Sequence, residues 1–230
     1  MFSLNDVVQS IDHTLLKPDA PEKDYLQLCG EAKELGVKAV CVLPYYVSFC
    51  RQQLQESAVE VATVVGFPLG ANTPGLKAWE AQKAFSEGAA EVDMVINLGA
   101  LKDRKTAVVL ADIQQVVKVA ESFSEKKLVK VIIETGLLTD EEKILACELA
   151  VKAGAHFVKT STGFNGGGAT VEDVRLMVKT VGNRAKVKAS GGIRSWTQAE
   201  ELLLAGASRL GTSNGRKIIT EYQRLMTIKS

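Results

Sequence analysis

The stretch VKAGAHFVKTSTGFNGGG, residues 151–168, carries the reading on which the fold depends. An amphipathic segment ends at Gly154, the residue type that closes many helices by adopting a left-handed backbone. Small residues follow, then a short run of β-branched and aromatic side chains, the composition of a buried strand. The run leaves through a loop carrying Gly163, Gly166, Gly167 and Gly168. The same order of helix end, glycine, small residue and strand recurs in KELGVKAV (33–40) and SEGAAEVDMV (86–95). It is a repeated joint between helix and strand rather than a solenoid repeat.

Working outward, short β-rich runs and longer amphipathic stretches alternate along the chain, which implies βα units around a parallel sheet. Strands are predicted at 11–16, 38–43, 60–66, 91–96, 129–134, 157–160, 186–189 and 209–211, and helices at 25–35, 76–87, 105–121, 140–153, 171–180 and 197–204. Thr139 with Glu142 three residues on reads as a capping box, and Thr170 and Ser195 read as helix caps. Eight units in 230 residues, with no linker between them, fit one (β/α)8 barrel of the TIM type over residues 1–230. A doubly wound open sheet is the alternative, because periodicity does not report closure.

With 46% hydrophobic residues, 24% charged residues and a net charge of +1, the chain has no overall electrostatic footprint for nucleic acid or an anionic membrane. Small-molecule partners are expected. The opening MFSLNDVVQS lacks a basic segment followed by an apolar core, and no run approaches the length of a membrane span, so a cytoplasmic placement is expected. Cys29, Cys41, Cys50 and Cys147 are scattered without CxxC spacing, which reads as reduced thiols and gives no reason to expect a metal. The absence of a GxxxxGK[ST] string argues against nucleoside triphosphate chemistry.

Active sites in such barrels gather at the C-terminal ends of the strands. Three charged residues interrupt otherwise apolar runs there: Asp93 in EVDMVIN, Lys159 in FVKTSTGF and Lys188 in KVKASGGI. Each taken alone could be half of a structural ion pair. Together, Lys159 and Lys188 fall at matching positions of consecutive strands, so their ammonium groups would approach one another. Repulsion and desolvation both lower a lysine pKa and make the amine nucleophilic, while Asp93 balances the remaining charge and moves protons. The arrangement suits Schiff-base chemistry. The loops STGFNGGG, SGGIR and GTSNG offer free backbone N–H groups where this architecture cradles phosphate, although tight βα turns need glycine regardless of ligand.

The segments IDHTLLKP (11–18), VCVLPYYV (40–47), VVGFPLGANT (64–73), EVDMVINLGAL (91–101), KVIIETGLLT (130–139), FVKTSTGF (157–164), VKASGGIR (187–194) and GTSNG (211–215) together resemble the deoxyribose-phosphate aldolase family. That resemblance implies reversible cleavage of 2-deoxy-D-ribose 5-phosphate to D-glyceraldehyde 3-phosphate and acetaldehyde without metal or organic cofactor. It implies that Lys159 forms the imine, that Lys188 tunes its pKa and that Asp93 transfers protons. Asp12 and Thr14 would lie near the substrate hydroxyls or the proton relay. Thr162, Gly163, Phe164, Gly191, Gly192, Ser213 and Asn214 would bind substrate, mostly through backbone donors to the phosphate. Phe164 stands where some relatives carry lysine, which removes one cation from that site. Cys41 would face the mouth, with a role as buried filler set against substrate contact. His13 and His156 are read as structural, with His156 at the opposite rim.

Other phosphosugar barrel enzymes remain as alternatives, such as an epimerase or a transaldolase-like transferase. So does a non-catalytic phosphosugar-binding barrel. Paired lysines argue against an epimerase, which needs an acid and a base on either side of one carbon, and the intact Lys159, Lys188 and Asp93 argue against a barrel that has lost its chemistry. A homo-oligomer, dimer or tetramer, is an open expectation.

Overall fold

In the computed structural model, which describes residues 2–229, eight parallel strands pair in chain order and the last returns to the first. They are β1 (Ile11–Leu15), β2 (Ala39–Val42), β3 (Glu60–Val65), β4 (Glu91–Val95), β5 (Leu128–Ile132), β6 (Phe157–Lys159), β7 (Lys186–Ser190) and β8 (Arg209–Thr212). Ile11 stands opposite Leu210 and Asp12 opposite Gly211, so the sheet is closed and the open-sheet alternative is excluded. The first and last residues of the expected 1–230 unit lie outside the described residues.

The helices are α1 (Leu4–Ser10), α2 (Glu22–Leu35), α3 (Val47–Gln53), α4 (Pro74–Ser86), α5 (Leu98–Lys102), α6 (Thr106–Glu121), α7 (Asp140–Lys152), α8 (Val171–Val181), α9 (Trp196–Leu204) and α10 (Gly215–Lys229). α2, α4 and α6–α9 fall within three residues of their predicted bounds at either end. α1, α3, α5 and α10 were not predicted. α1 and α5 are short and owe their start to capping: Ser3 and Asp6 form a capping box, and Asn97 accepts from the Ala100 N–H. The predicted caps at Thr139, Thr170 and Ser195 are all formed. Gly36, Gly88 and Gly154 take positive φ at the three repeated joints, as their sequences require. Among the described residues no helix is long and apolar enough to cross a membrane.

The main core fills the space between barrel and helices. Val40, Val61, Val92, Val129, Val158, Val187 and Leu210 project outward from the strands into it. A second, smaller cluster of Leu16, Ala39, Cys41, Ala62 and Val64 occupies part of the barrel interior. Side chains alternate between the two faces along each strand, so residues two apart share the inside.

Candidate active site

The inward positions of β1–β3 are largely small or apolar, whereas β4–β8, together with Asp12 of β1, contribute charged residues to the interior. Asp12, Glu91, Asp93, Lys130, Lys159, Lys188 and Arg209 are all buried and joined in one network. Asp93 sits at its centre. Its Oδ1 accepts from Lys130 Nζ at 2.6 Å, and its Oδ2 accepts from both Lys159 Nζ and Lys188 Nζ at 2.7 Å. Lys188 also donates to Asp12, and Lys130 pairs with Glu91 Oε2 at 2.5 Å. Arg209 closes the far side, donating to Asp12 and, from Nη1 and Nη2, to Glu91 at 3.1 and 2.9 Å. Lys159 and Lys188 are register partners on neighbouring strands, as their matching positions suggested.

Three carboxylates thus face four cations. With every group ionised the network carries one uncompensated positive charge away from water, which is costly. Lys188 and Arg209 each touch two carboxylates and Lys130 pairs with three, while Lys159 touches only Asp93, on an oxygen shared with Lys188. Lys159 is therefore the cation the network can most readily release as a neutral amine. Burial pulls its pKa below the usual lysine value, and the Lys188 ammonium adds to burial in outweighing the opposing pull of Asp93. Lys188 moves the other way: burial would lower its pKa, but Asp12 and Asp93 outweigh burial and keep it charged. Burial would raise Asp93, yet Lys130, Lys159 and Lys188 hold it well below the ordinary carboxylate range.

Of the seven, Lys159 alone lines the open mouth, a cavity of about 250 Å³ at the C-terminal ends of the strands. Thr14, Thr162, Gly163, Phe164, Gly191, Gly192, Ser213 and Asn214 line the same cavity, so these candidate residues are brought together around the amine. Asp12, Asp93 and Lys188 are fully buried in the network, and Cys41 packs in the interior apolar cluster, its thiol pKa raised chiefly by burial. The loops after β6 and β7 meet backbone to backbone: Ala169 N donates to Gly191 O at 3.0 Å. A Cβ on Gly168 would lie 2.5 Å from that oxygen, and Gly191 and Gly192 have φ of 91° and 79°. Close approach demands glycine at 168, and the positive φ favours it at 191 and 192, whatever the ligand. Phe164 is 49% exposed and stands edge-on to Phe67.

His13 faces away from the mouth and pairs through Nε2 with Glu31 at 3.1 Å. His156 precedes β6 and accepts from Val129 N at 3.2 Å, which agrees with a structural reading at the opposite rim. Sequence reasoning missed Glu91, Lys130 and Arg209 in the network, Lys17 and Arg194 at the mouth, and Glu134 behind it. Lys130 could have been found, because it interrupts the apolar run LVKVI as Asp93 interrupts its own strand.

Comparison with known proteins identifies the family. Residues 7–220 match the model of a family described as DeoC/LacD family aldolase. A deoxyribose-phosphate aldolase of Carboxydothermus hydrogenoformans is 58% identical over 95% of this chain and 96% of its own, and one of a Geobacillus species is 57% identical over 94% and 95%. This chain belongs to the deoxyribose-phosphate aldolase family. The solved deoxyribose phosphate aldolase of Aeropyrum pernix superimposes on this aldolase with a TM-score of 0.90 at 34% identity, covering 97% of this chain and 93% of that one. The fold therefore follows the family, and the epimerase and binding-protein alternatives are not favoured.

Proposed function

We propose that this aldolase reversibly cleaves 2-deoxy-D-ribose 5-phosphate to D-glyceraldehyde 3-phosphate and acetaldehyde by class I chemistry, with Lys159 as the nucleophile. The observation that carries the reading is the single excess cation of the buried network, assigned to the one lysine of that network that opens on the mouth. A neutral Lys159 amine attacks the C1 aldehyde of the open-chain sugar and water leaves, giving a protonated imine. Removal of the C3 hydroxyl proton then breaks the C2–C3 bond. Its electron pair moves toward the iminium and leaves an enamine, while C3 becomes the aldehyde of glyceraldehyde 3-phosphate. Protonation of the enamine carbon and addition of water release acetaldehyde and regenerate the amine.

Asp93 is the carboxylate in hydrogen-bond contact with the nucleophile, so it is assigned the proton transfers at nitrogen. The three lysines around it keep it ionised, so that it stands as a hydrogen-bond acceptor at the Lys159 nitrogen. Lys188 is assigned the role of a fixed charge that keeps Lys159 neutral. Gly163, Phe164, Gly191, Gly192, Ser213 and Asn214 are assigned to the phosphate, with Thr14 and Thr162 nearer the sugar, and Lys17 and Arg194 supply the positive charge that Phe164 does not. Asp12 holds Lys188 and is assigned to the relay side of the site, and Cys41 to packing.

Incubation with acetaldehyde and borohydride, followed by peptide mapping, tests the assignment. Reductive alkylation at Lys159 is expected, and alkylation at no lysine or at another lysine would overturn it. A cytoplasmic enzyme with small-molecule partners is part of the reading, supported by four buried free cysteines. So is a homo-oligomer, supported by the tetramer described for the Aeropyrum pernix relative.

A further inference from the structure

β5 was expected to run to residue 134, but the strand ends at Ile132 and Glu134 turns with φ 56° and ψ 63°. A non-glycine residue in this left-handed region is strained and persists where its surroundings over-determine it. Two backbone bonds set it beside the end of β6: Ile133 N to Lys159 O at 3.0 Å and Thr135 N to Thr160 O at 2.9 Å. The side chain is fully buried, and its hydrogen-bond partners are neutral donors from one turn of the next loop. Oε1 accepts from Thr162 N at 3.1 Å, and Oε2 accepts from the Thr162 hydroxyl at 2.5 Å and from Asn165 Nδ2 at 2.9 Å. With its proton committed to Glu134, the Thr162 hydroxyl oxygen accepts from Phe164 N at 3.1 Å. Asn165 Nδ2 donates onward to Pro68 O at 3.2 Å, tying the turn to the loop after β3.

Thr162, Gly163 and Phe164 line the mouth, whereas Glu134 stands behind them. We infer that Glu134 is a positioning residue for the phosphate-binding turn: it touches no substrate atom and holds residues 162–165 in their binding shape before the phosphate arrives. Ordering a loop in advance removes that cost from the binding step. The role needs a carboxylate, because both oxygens must accept. A glutamine of equal size would turn an N–H toward Thr162 N or toward Asn165 Nδ2, setting donor against donor. The inference rests on the aldolase reading above.

The test is steady-state kinetics of wild type, Glu134→Gln and Asn165→Ala with 2-deoxyribose 5-phosphate and with unphosphorylated 2-deoxyribose. Loss of hydrogen bonds to a buried carboxylate should raise KM for the phosphorylated sugar about tenfold or more in Glu134→Gln and about threefold in Asn165→Ala. In both variants kcat should stay within about threefold and kcat/KM for deoxyribose within about twofold, so that selectivity for the phosphate falls. Asn165 is a half-buried loop residue and keeps the test decisive if Glu134→Gln fails to fold. Parallel losses on both sugars, or an unchanged KM, would overturn the role of Glu134. A wild-type protein inert toward deoxyribose 5-phosphate would instead overturn the aldolase reading.

Discussion

Lys159→Ala removes the one cation that the buried network does not need for charge balance, so the fold should persist while turnover disappears. Residual activity should be below about one per cent of wild type, a loss of roughly 2.7 kcal/mol or more in transition-state stabilisation, with circular dichroism and Tm as checks on folding. Lys159→Arg should be equally inactive, because a guanidinium stays protonated and cannot attack a carbonyl. Lys188→Leu separates charge from nucleophile. Without that ammonium, three carboxylates face Lys130, Arg209 and Lys159, so the network needs the Lys159 proton and the amine pKa rises. Below the raised pKa the amine is protonated and inert. Borohydride trapping should therefore fall at neutral pH and recover in alkali, and an unchanged pH profile would deny Lys188 this role. Lys159, Lys188 and Asp93 were legible because charges inside apolar strands demand a reason. Glu91 and Arg209 were not, because they meet one another across the barrel interior, where spacing along the chain says nothing of proximity.

The strand and helix pattern was legible where a glycine joint or a capping residue marked the boundary of a long element, as at Gly154 and Thr139, but not at the short capped helices α1 and α5. It failed where a short helix gains its stability from packing, as at α3, and where a strand stops for a reason its composition hides, as at Glu134. The loops after β6, β7 and β8 line one cavity and are proposed to act together on one ligand group, and a substitution in one of them tests that. Gly192 is exposed, and a Cβ added to it would meet no atom within 4 Å, so Gly192→Asp brings in a negative charge without a collision. Repulsion of the dianion should raise KM for deoxyribose 5-phosphate by about fivefold or more, on the order of 1–4 kcal/mol for charges a few Å apart, and spare unphosphorylated deoxyribose. Equal losses on both sugars would point to a backbone defect at this positive-φ position and remove the evidence for a phosphate contact.

Barrel closure was expected from the count of eight units, and its consequence is that β8 and β1 share charge: Arg209 meets Asp12 on the neighbouring strand and Glu91 across the interior. Arg209→Met keeps the volume but leaves two buried carboxylates short of a partner, so it should cost about 3–5 kcal/mol, read as a lower denaturant midpoint at unchanged m. A change under about 1 kcal/mol would show that the network contributes little to stability. The burial of this network and the exposure of Lys17 and Arg194 at the mouth place the two halves of the reaction in different relations to dissolved salt. Mobile ions screen exposed charges over about 10 Å at 0.1 M and less at higher concentration, but do not penetrate the interior. Raising ionic strength should therefore weaken capture of the phosphorylated sugar, seen as a rising KM, and leave the rate of imine formation with uncharged acetaldehyde unchanged. A cell could alter its salt content and change how readily substrate is caught, while the chemistry at the Lys159 nitrogen proceeds as before.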